Sequence, residues 1–398
     1  MKTGVVEVGN DEVVAFRLAA HHLDERLEAG SLLEAAGSCG LQDSPPGSAL
    51  LALHARVADV TPTGIVDAVE GRSLLHTWAM RGSPFFFPTA DLAVFTTGVL
   101  PSEESARRRF ILGVEQALDR LDMTLEEATD HSRSVIRDVL TGRALPINEL
   151  GAELANAIAG HLPKAQRSTW DAAGPYAKGQ SLGEGVVHFC LRMLTLEQVV
   201  CFTHRDGHKL PFVLVDEWLG YQPAGVETVR ARAEITRRYL RCYGPSTRAD
   251  FGSWLGTTSG DAAERWTLIE NELCEVNVDG RTCWLLAEDI DTLRSPPEPS
   301  SLRLLPPRDP LLQLRDRESL LDKRWHRSVW KSVGEPGTVL SEGRLVATWR
   351  PRKSGKKLSL TVEPFQELTS AQRSAITDEA KAIAPLRGCT SVEVDFEA

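Results

Sequence analysis

The sequence predicts an α+β protein with a helical N-terminal region, two successive units in which helices precede a β-hairpin, and a β-rich C-terminal domain. Helical and strand periodicities follow one another in the same order in residues 102–227 and again in 228–294. A proline-rich linker at 295–300 then precedes a stretch with two further hairpin turns. The 398 residues leave room for four domains, the first at 1–101 and the last at 301–398.

The N-terminal region is predicted to be mostly helical. Apolar residues recur at a spacing of three to four in 17–27 and in 50–58, as on one face of a helix. Between these stretches, residues 42–47 contain two adjacent prolines and a glycine, which end a helix. We therefore expect residues 1–101 to carry a loop between two helices.

Residues 102–227 combine helices with a two-stranded hairpin. The predicted helices lie at 103–118, 147–159 and 183–194, and the predicted strands lie at 199–202 and 211–215. Three side chains suited to contacting phosphate surround the Asp-Gly turn of the hairpin: Arg205, His208 and Lys209. Helices followed by a two-stranded wing are typical of a winged helix-turn-helix unit, a common DNA-binding module.

Residues 228–294 repeat that order, with helices at 230–243, 248–255 and 259–271 and a hairpin at 273–286. The Asp279-Gly280 turn sets Val276 opposite Cys283. Cys274 then lies diagonal to Cys283, roughly 7–8 Å away, which is long for a disulfide. We therefore expect free thiols. None of the seven cysteines forms a CxxC pair, and no P-loop or dinucleotide fingerprint appears, so we assign no metal and no cofactor.

The C-terminal domain, 301–398, is predicted to be β-rich, with strands at 338–340, 344–349 and 357–362. Five cations surround its second hairpin turn, at Ser354-Gly355: Arg350, Arg352, Lys353, Lys356 and Lys357. Two interpretations stay open at this point. The cations contact the phosphates of a polyanion, or they keep an exposed loop soluble through repulsion.

The charge distribution separates one basic region from an acidic remainder. The net charge is −10, yet residues 301–361 hold fourteen Lys/Arg and six Asp/Glu. A local basic face is compatible with DNA binding, although a solvated charged face has the same composition. No stretch approaches the roughly 18 apolar residues of a membrane span, and the N-terminus lacks the features of a secretory signal. We therefore expect a cytoplasmic, nucleoid-associated protein.

Six sequence blocks, in order along the chain, carry a resemblance to a known family. They lie at 40–42, 51–57, 77–82, 212–218, 239–245 and 304–310. Over nearly its whole length the chain resembles the winged-helix DNA glycosylases of bacteria, which excise alkylpurines and unhook DNA crosslinks. The resemblance implies winged helices around duplex DNA and a catalytic loop near the N-terminus.

The catalytic motif of that family is a Gln, any residue, and then Gln or Asp. Here Gln42 matches its first position, Ser44 stands at its last, and Asp43 lies between them. One branch of the family resembles this chain in carrying Gln-Asp-Ser-Pro-Pro-Gly there. The resemblance also places Arg81, near Trp78, beside the active site, where it would hold a phosphate or the lesion. The alternatives are a Gln42 side chain that satisfies the loop backbone, a turn before Pro45 capped by Asp43 or Ser44, and a surface ion pair at Arg81.

The chemistry favours one function and leaves others open. An N3- or N7-alkylated purine is cationic and leaves readily, so an enzyme has to position a water and stabilise the charge growing on the sugar. A Gln carbonyl orients such a water. We therefore expect a monomeric, monofunctional DNA glycosylase acting on double-stranded DNA. The alternatives are a non-catalytic DNA-binding regulator or lesion-binding protein, and a protein-interaction module that keeps winged helices as a scaffold.

Overall fold

The structure is a computed structural model that describes residues 6–205, 207 and 209–397, and only the backbone of residue 109. The chain forms two compact units. The first contains the residues up to Ile65 together with Thr236–Trp254 and those from Ile269 onward, and the second contains Val66–Ile235 and Leu255–Leu268. Each unit is therefore assembled from segments that lie far apart in the sequence. No helix in the described ranges is long and apolar enough to cross a membrane.

The α-helices of the described residues are, in chain order, α1 (Asn10–Ala20), α2 (Leu32–Cys39), α3 (Ser48–Arg56), α4 (Pro62–Glu70), α5 (Leu92–Phe95), α6 (Glu104–Phe110), α7 (Glu115–Leu121), α8 (Leu125–Leu140), α9 (Ile147–Ala159), α10 (Lys164–Trp170), α11 (Leu182–Leu196), α12 (Val215–Leu219), α13 (Thr228–Tyr243), α14 (Arg248–Leu255), α15 (Ser259–Thr267), α16 (Ile290–Arg294), α17 (His326–Val329) and α18 (Ser370–Leu386).

The strands are β1 (Val6–Val8), β2 (Leu41–Gln42), β3 (Leu74–Trp78), β4 (Pro84–Pro88), β5 (Leu145–Pro146), β6 (Val200–Phe202), β7 (Pro211–Leu214), β8 (Leu273–Val278), β9 (Arg281–Leu286), β10 (Leu302–Leu305), β11 (Gly337–Ser341), β12 (Arg344–Ser354), β13 (Lys357–Pro364) and β14 (Ser391–Phe396). The protein is thus α+β, as the sequence predicts.

A five-stranded sheet in the first unit pairs in the order β10-β11-β12-β13-β14. Alternate residues of its strands point to one apolar face, which packs against α18 through buried side chains including Trp349, Leu360 and Ile383. Strand β12 is longer than its neighbour β11, whose pairing ends where Gly337 meets Trp349. Beyond Trp349, β12 pairs with β13 alone, so residues 350–357 form a hairpin that reaches past β11. This segment is called the basic hairpin below.

A smaller sheet in the first unit pairs in the order β1-β8-β9 and packs on α1 through Phe16 and Val276. Val276 pairs with Cys283 in the β8–β9 hairpin, as the turn chemistry predicts. The cysteines are all free thiols, which confirms that prediction. The helix–helix–helix–hairpin order predicted for 228–294 is present as α13, α14, α15 and β8–β9. The winged-helix interpretation and the four domain boundaries stay predictions.

The strands of the second unit pair in the order β4-β3-β6-β7-β5. Helix α9 has the predicted bounds. The prediction of one helix at 103–118 was wrong, because the chain forms α6 and α7 separated by Gly113, whose φ is 105°. Helix α8 was not predicted, although Thr124 and Glu127 form a capping box, a sequence-level start signal.

The expectation of a mostly helical N-terminal region was wrong for 74–88, where β3 and β4 form an antiparallel hairpin. The Phe85-Phe86-Phe87 run explains the difference, because aromatic residues favour a pleated, half-buried surface. The C-terminal domain contains a helix, α18, besides its strands. Its predicted hairpin turn at Ser354-Gly355 is confirmed.

Candidate functional site

The candidate catalytic loop joins β2 to α3 in the first unit. The Gln42 and Asp43 side chains are buried, at 3% and 6% exposure, whereas Ser44 is half-buried. The two prolines that follow lie at the surface, and the Ser44–Pro45 peptide bond is cis. The loop therefore turns the first two residues of the motif inward and leaves its proline pair facing solvent.

Asp43 organises this loop. Its Oδ1 accepts hydrogen bonds from the Gly47 amide at 2.7 Å and from the Ala49 amide at 3.4 Å. These amides belong to the start of α3, where backbone N–H groups lack helical partners and a negative charge is favourable. Asp43 thus caps the helix that follows the motif, as the capped-turn alternative for this loop expected.

A buried ion pair supports α3 from its other end. The Arg56 guanidinium donates to both carboxylate oxygens of Asp309, at 2.8 and 2.7 Å, and also to the Ala52 carbonyl at 2.9 Å. The Arg56 and Asp309 side chains are 2% and 0% exposed. Burial opposes the charge of Arg56, yet the Asp309 carboxylate raises the pKa of Arg56 above its ordinary value. The bidentate pair therefore fixes α3 to the chain around Asp309.

In the second unit, Arg81 lies in the turn between β3 and β4 with a positive φ of 56°. Its side chain is half-buried, and its guanidinium carbon is 5.9 Å from the centre of the Phe85 ring. Gly256 borders it so closely that an added Cβ there would lie 2.7 Å from Arg81 Cγ. The close fit fixes where the aliphatic part of this arginine runs.

A second cation, Arg192 on α11, lies beside the same turn, and the sequence did not predict it. Its guanidinium carbon is 4.9 Å from the centre of the Trp78 ring, and its side chain packs against Gly82. Burial lowers the pKa of Arg192 from its ordinary value. Trp78 is half-buried and contacts Phe202 and Phe212 edge-on. No local pattern marks Arg192, because the fold alone brings it to residues 78–82.

The β6–β7 tip shows its predicted cations only in part. Lys209 is exposed and forms an ion pair with Glu149 at 3.3 Å, and Arg205 is half-buried. His208 lies outside the described residues, so its predicted phosphate contact stays a prediction.

The basic hairpin divides its five cations into two groups. Three are held by the protein itself. Arg350 donates to the Gly334 carbonyl at 3.1 Å, Lys353 donates to the Arg387 carbonyl at 2.8 Å, and Lys357 pairs with Glu393 at 2.6 Å. The side chains of Arg352 and Lys356 are exposed and make no hydrogen bond or ion pair with any described residue. These two are the cations most available to an external anion.

The described residues include one group of potential metal ligands, formed by His21, Cys39 and Cys242 of the first unit. All three side chains are buried. The sequence did not predict this cluster, because its members are separated by up to 221 positions.

Residues 35–386 match the sequence profile of the family described as DNA glycosylase AlkZ-like. The chain belongs to this AlkZ-like family. The match spans most of the 398 residues and includes the candidate loop, the Arg81 turn and the basic hairpin. The resemblance drawn from the six sequence blocks is thereby confirmed.

A curated relative of the AlkZ-like chain is the interstrand DNA cross-link repair glycosylase of Streptomyces sahachiroi. The two are 24% identical over 392 residues, which cover 96% of this chain and 98% of the relative. The solved structure of Streptomyces sahachiroi DNA glycosylase AlkZ has a TM-score of 0.77 and 22% identity, covering 98% of this chain and 100% of that one. At this identity the structural similarity shows the fold. The roles of individual residues in the AlkZ-like chain remain predictions.

Proposed function

We propose that this chain is a monofunctional DNA glycosylase that excises cationic or bulky alkylpurines from double-stranded DNA. The observation that carries the proposal is Gln42. It stands at the first position of the family's catalytic motif, and its side chain is 3% exposed on a loop that Asp43 ties to α3. A buried, oriented amide is what positioning a water requires.

The proposed reaction breaks the N-glycosidic bond between an alkylated purine and its deoxyribose. The alkyl group gives the base a positive charge, so the base departs as a neutral leaving group and positive charge grows on the sugar. The Gln42 carbonyl orients a water toward the sugar carbon. The water oxygen forms the new bond there, and its proton passes to solvent or to the departing base, so the products are an abasic site and a free base.

The roles of the two following residues differ from that of Gln42. The Asp43 carboxylate already accepts two backbone hydrogen bonds. We assign it as a positioning residue that acts through the shape of the loop. Ser44 stands where the family carries a stronger water-positioning side chain, and its hydroxyl is a weaker substitute. This weakness suits substrates whose base is already cationic.

Phosphate contacts supply the affinity in this proposal. Arg352 and Lys356 on the basic hairpin and Lys209 on the β6–β7 tip are exposed. Such lysines and arginines contact phosphate oxygens without discriminating sequence, which suits an enzyme that meets its lesion in any context. Arg81 is proposed to hold a phosphate or the lesion.

A non-catalytic DNA-binding protein is the second candidate function. Ser44 at the last motif position favours this candidate, because the family motif carries Gln or Asp there. A loop without that stronger water-positioning side chain fits DNA binding as well as it fits base excision. Incubation with a duplex containing N7-methylguanine distinguishes the two. Release of free N7-methylguanine with formation of an abasic site supports the glycosylase. Binding of that duplex without release of any alkylated base supports the second candidate.

A further inference from the structure

Three helices have their C-terminal ends at one buried point in the first unit. His21 is the C-cap residue of α1, Cys39 is the last residue of α2, and Cys242 lies in the last turn of α13. Their side chains are 1%, 3% and 2% exposed. The C-terminal end of a helix carries partial negative charge and favours a cation, so three such ends meeting together create a local environment that attracts one.

The donor atoms of these residues are close enough for one ion. One ligand atom from each of the three residues lies within 4.8 Å of the others. The distance from Cys39 Sγ to His21 Nδ1 is 4.0 Å. Around a tetrahedral zinc ion, with bonds of about 2.3 Å to sulfur and 2.0–2.1 Å to nitrogen, donor atoms stand roughly 3.5–3.8 Å apart. To ligate one ion, the donor atoms would therefore have to approach one another by roughly 1 Å at most.

His21 has hydrogen-bonding capacity that the protein does not use. Its Nε2 is buried and has no hydrogen-bond partner among the described residues. Its Nδ1 faces the Cys39 sulfur, a weak partner. Ligation of a metal ion through Nδ1 would replace this weak contact with a strong bond and would fix the imidazole tautomer that carries its proton on Nε2.

The two cysteines of the cluster are buried free thiols, so neither is committed to a disulfide. Cysteine binds metal as the thiolate, so metal binding releases the thiol protons.

We propose that His21, Cys39 and Cys242 form a structural site for a thiophilic divalent ion, with Zn²⁺ as the expected occupant. Binding forms two sulfur–zinc bonds and one nitrogen–zinc bond, releases the thiol protons to solvent, and transfers no electrons. The Tyr243 phenolic oxygen lies 3.8 Å from Cys39 Sγ and offers a neutral oxygen at the same place. Cys39 precedes Gln42 by three residues, so the ion would join α1, α2 and α13 at a point close in sequence to the candidate loop.

The test uses Co²⁺ as a spectroscopic substitute for Zn²⁺ in the full-length chain. The protein is unfolded with a chelator, refolded with Co²⁺, and then titrated with Zn²⁺. The expected result is one Co²⁺ per chain with a thiolate-to-cobalt charge-transfer band and tetrahedral d–d bands, all abolished by Zn²⁺. The control variant Cys274→Ser, which removes a half-buried thiol of β8 in the same unit, retains the bands. Cys39→Ser, Cys242→Ser and His21→Gln lose or weaken them.

A measurement on the wild-type chain guards against variants that do not fold. Cysteine alkylation followed by peptide mass analysis, with and without Zn²⁺, reports each thiol separately. Protection of Cys39 and Cys242 alone by Zn²⁺ supports the site. Folded protein that takes up no Co²⁺, protection independent of Zn²⁺, or a Cys39–Cys242 disulfide in protein prepared without reductant each overturns it, and the last outcome replaces the metal site with a redox pair.

Discussion

The carboxylate of Asp43 accepts a hydrogen bond of 2.7 Å from the amide of Gly47, four residues further along the chain. The loop that carries the candidate catalytic motif is therefore closed by the motif's own middle residue. Gly47 has a φ of 88°, a left-handed conformation that favours glycine, so the closure depends on both residues. The contacts of Asp43 therefore assign it to shaping the loop, whereas Gln42 is the residue that we propose to orient the substrate water.

Asp43→Ala is expected to destabilise the protein and reduce excision together. Loss of a helix-capping side chain costs about 1 kcal/mol, and the free amides of the loop then lose the bond that orders it. The stability and excision rate of Asp43→Asn, which keeps an acceptor oxygen, should lie between those of Asp43→Ala and the wild type. Urea unfolding followed by circular dichroism measures the change, with the exposed Asp119→Ala as the control. An Asp43→Ala protein as stable as the control contradicts the capping role.

Gln42→Ala is expected to lower the rate of base release by about 100-fold or more, the contribution typical of a group that positions or deprotonates water. Affinity for the duplex should stay within about twofold, because phosphate contacts supply most of the binding. Single-turnover excision from a duplex containing N7-methylguanine, combined with an affinity measurement, checks both. The matched control is Gln366→Ala, at an exposed position. Equal rates for the two variants would show that Gln42 has a structural role only.

Ser44→Asp and Ser44→Gln are expected to raise the excision rate. Each restores the residue type that the family motif carries at its third position, and Ser44 is half-buried, which leaves room for a larger side chain. The gain should be greatest for neutral lesions, since a cationic base departs with little help. Rates on matched duplexes with a cationic and a neutral alkylpurine measure this. If Ser44→Ala gives the same gain, the effect is steric rather than chemical.

Arg352→Ala and Lys356→Ala are expected to reduce the slope of log affinity against log salt concentration by about 0.9 each, the value for one lost phosphate contact. Lys353→Ala and Lys357→Ala should change the slope less, because their ammonium groups already bind the Arg387 carbonyl and Glu393. Titrations over a range of salt concentrations compare the four variants. An unchanged slope in Arg352→Ala and Lys356→Ala removes the basic hairpin from the DNA-binding surface.

Arg56→Ala is expected to lower the free energy of unfolding by about 3–5 kcal/mol, since it leaves the Asp309 carboxylate buried without its partner. Replacing both residues, as Arg56→Met with Asp309→Leu, should cost much less because no uncompensated charge remains. Chemical denaturation of the single and double variants measures the difference. Equal losses in the two would mean that packing, rather than charge, dominates at this position.

The parts of the fold predicted from the sequence are those that local physics determines. The β8–β9 register follows from the Asp279-Gly280 turn, and α9 follows from its helical periodicity. The β3–β4 hairpin escaped prediction because its strands acquire their pairing from each other and from β6. Helix α8 was not predicted because its overall composition is polar, although it has one apolar face and its capping box is present in the sequence.

The residues of the candidate site also fall into two groups, those that the sequence identified and those that only the fold reveals. The motif at 42–44 and the cations of the basic hairpin are contiguous in sequence, so they were identifiable. Arg192 and Cys242 have no local sequence signature. Their contacts with Trp78 and Cys39 form only in the folded chain. The sequence also does not show which of the five hairpin cations are available to an external anion, because the partners of three of them lie elsewhere in the chain.

The Arg56–Asp309 pair joins positions 253 residues apart. Ribosomes add about 5–20 residues per second, so Asp309 is synthesised roughly 13–50 seconds after Arg56. During that interval the nascent chain carries the candidate catalytic loop without the ion pair that anchors α3, the helix following it. The candidate site therefore matures late in translation, and a chain released before Asp309 lacks that anchor.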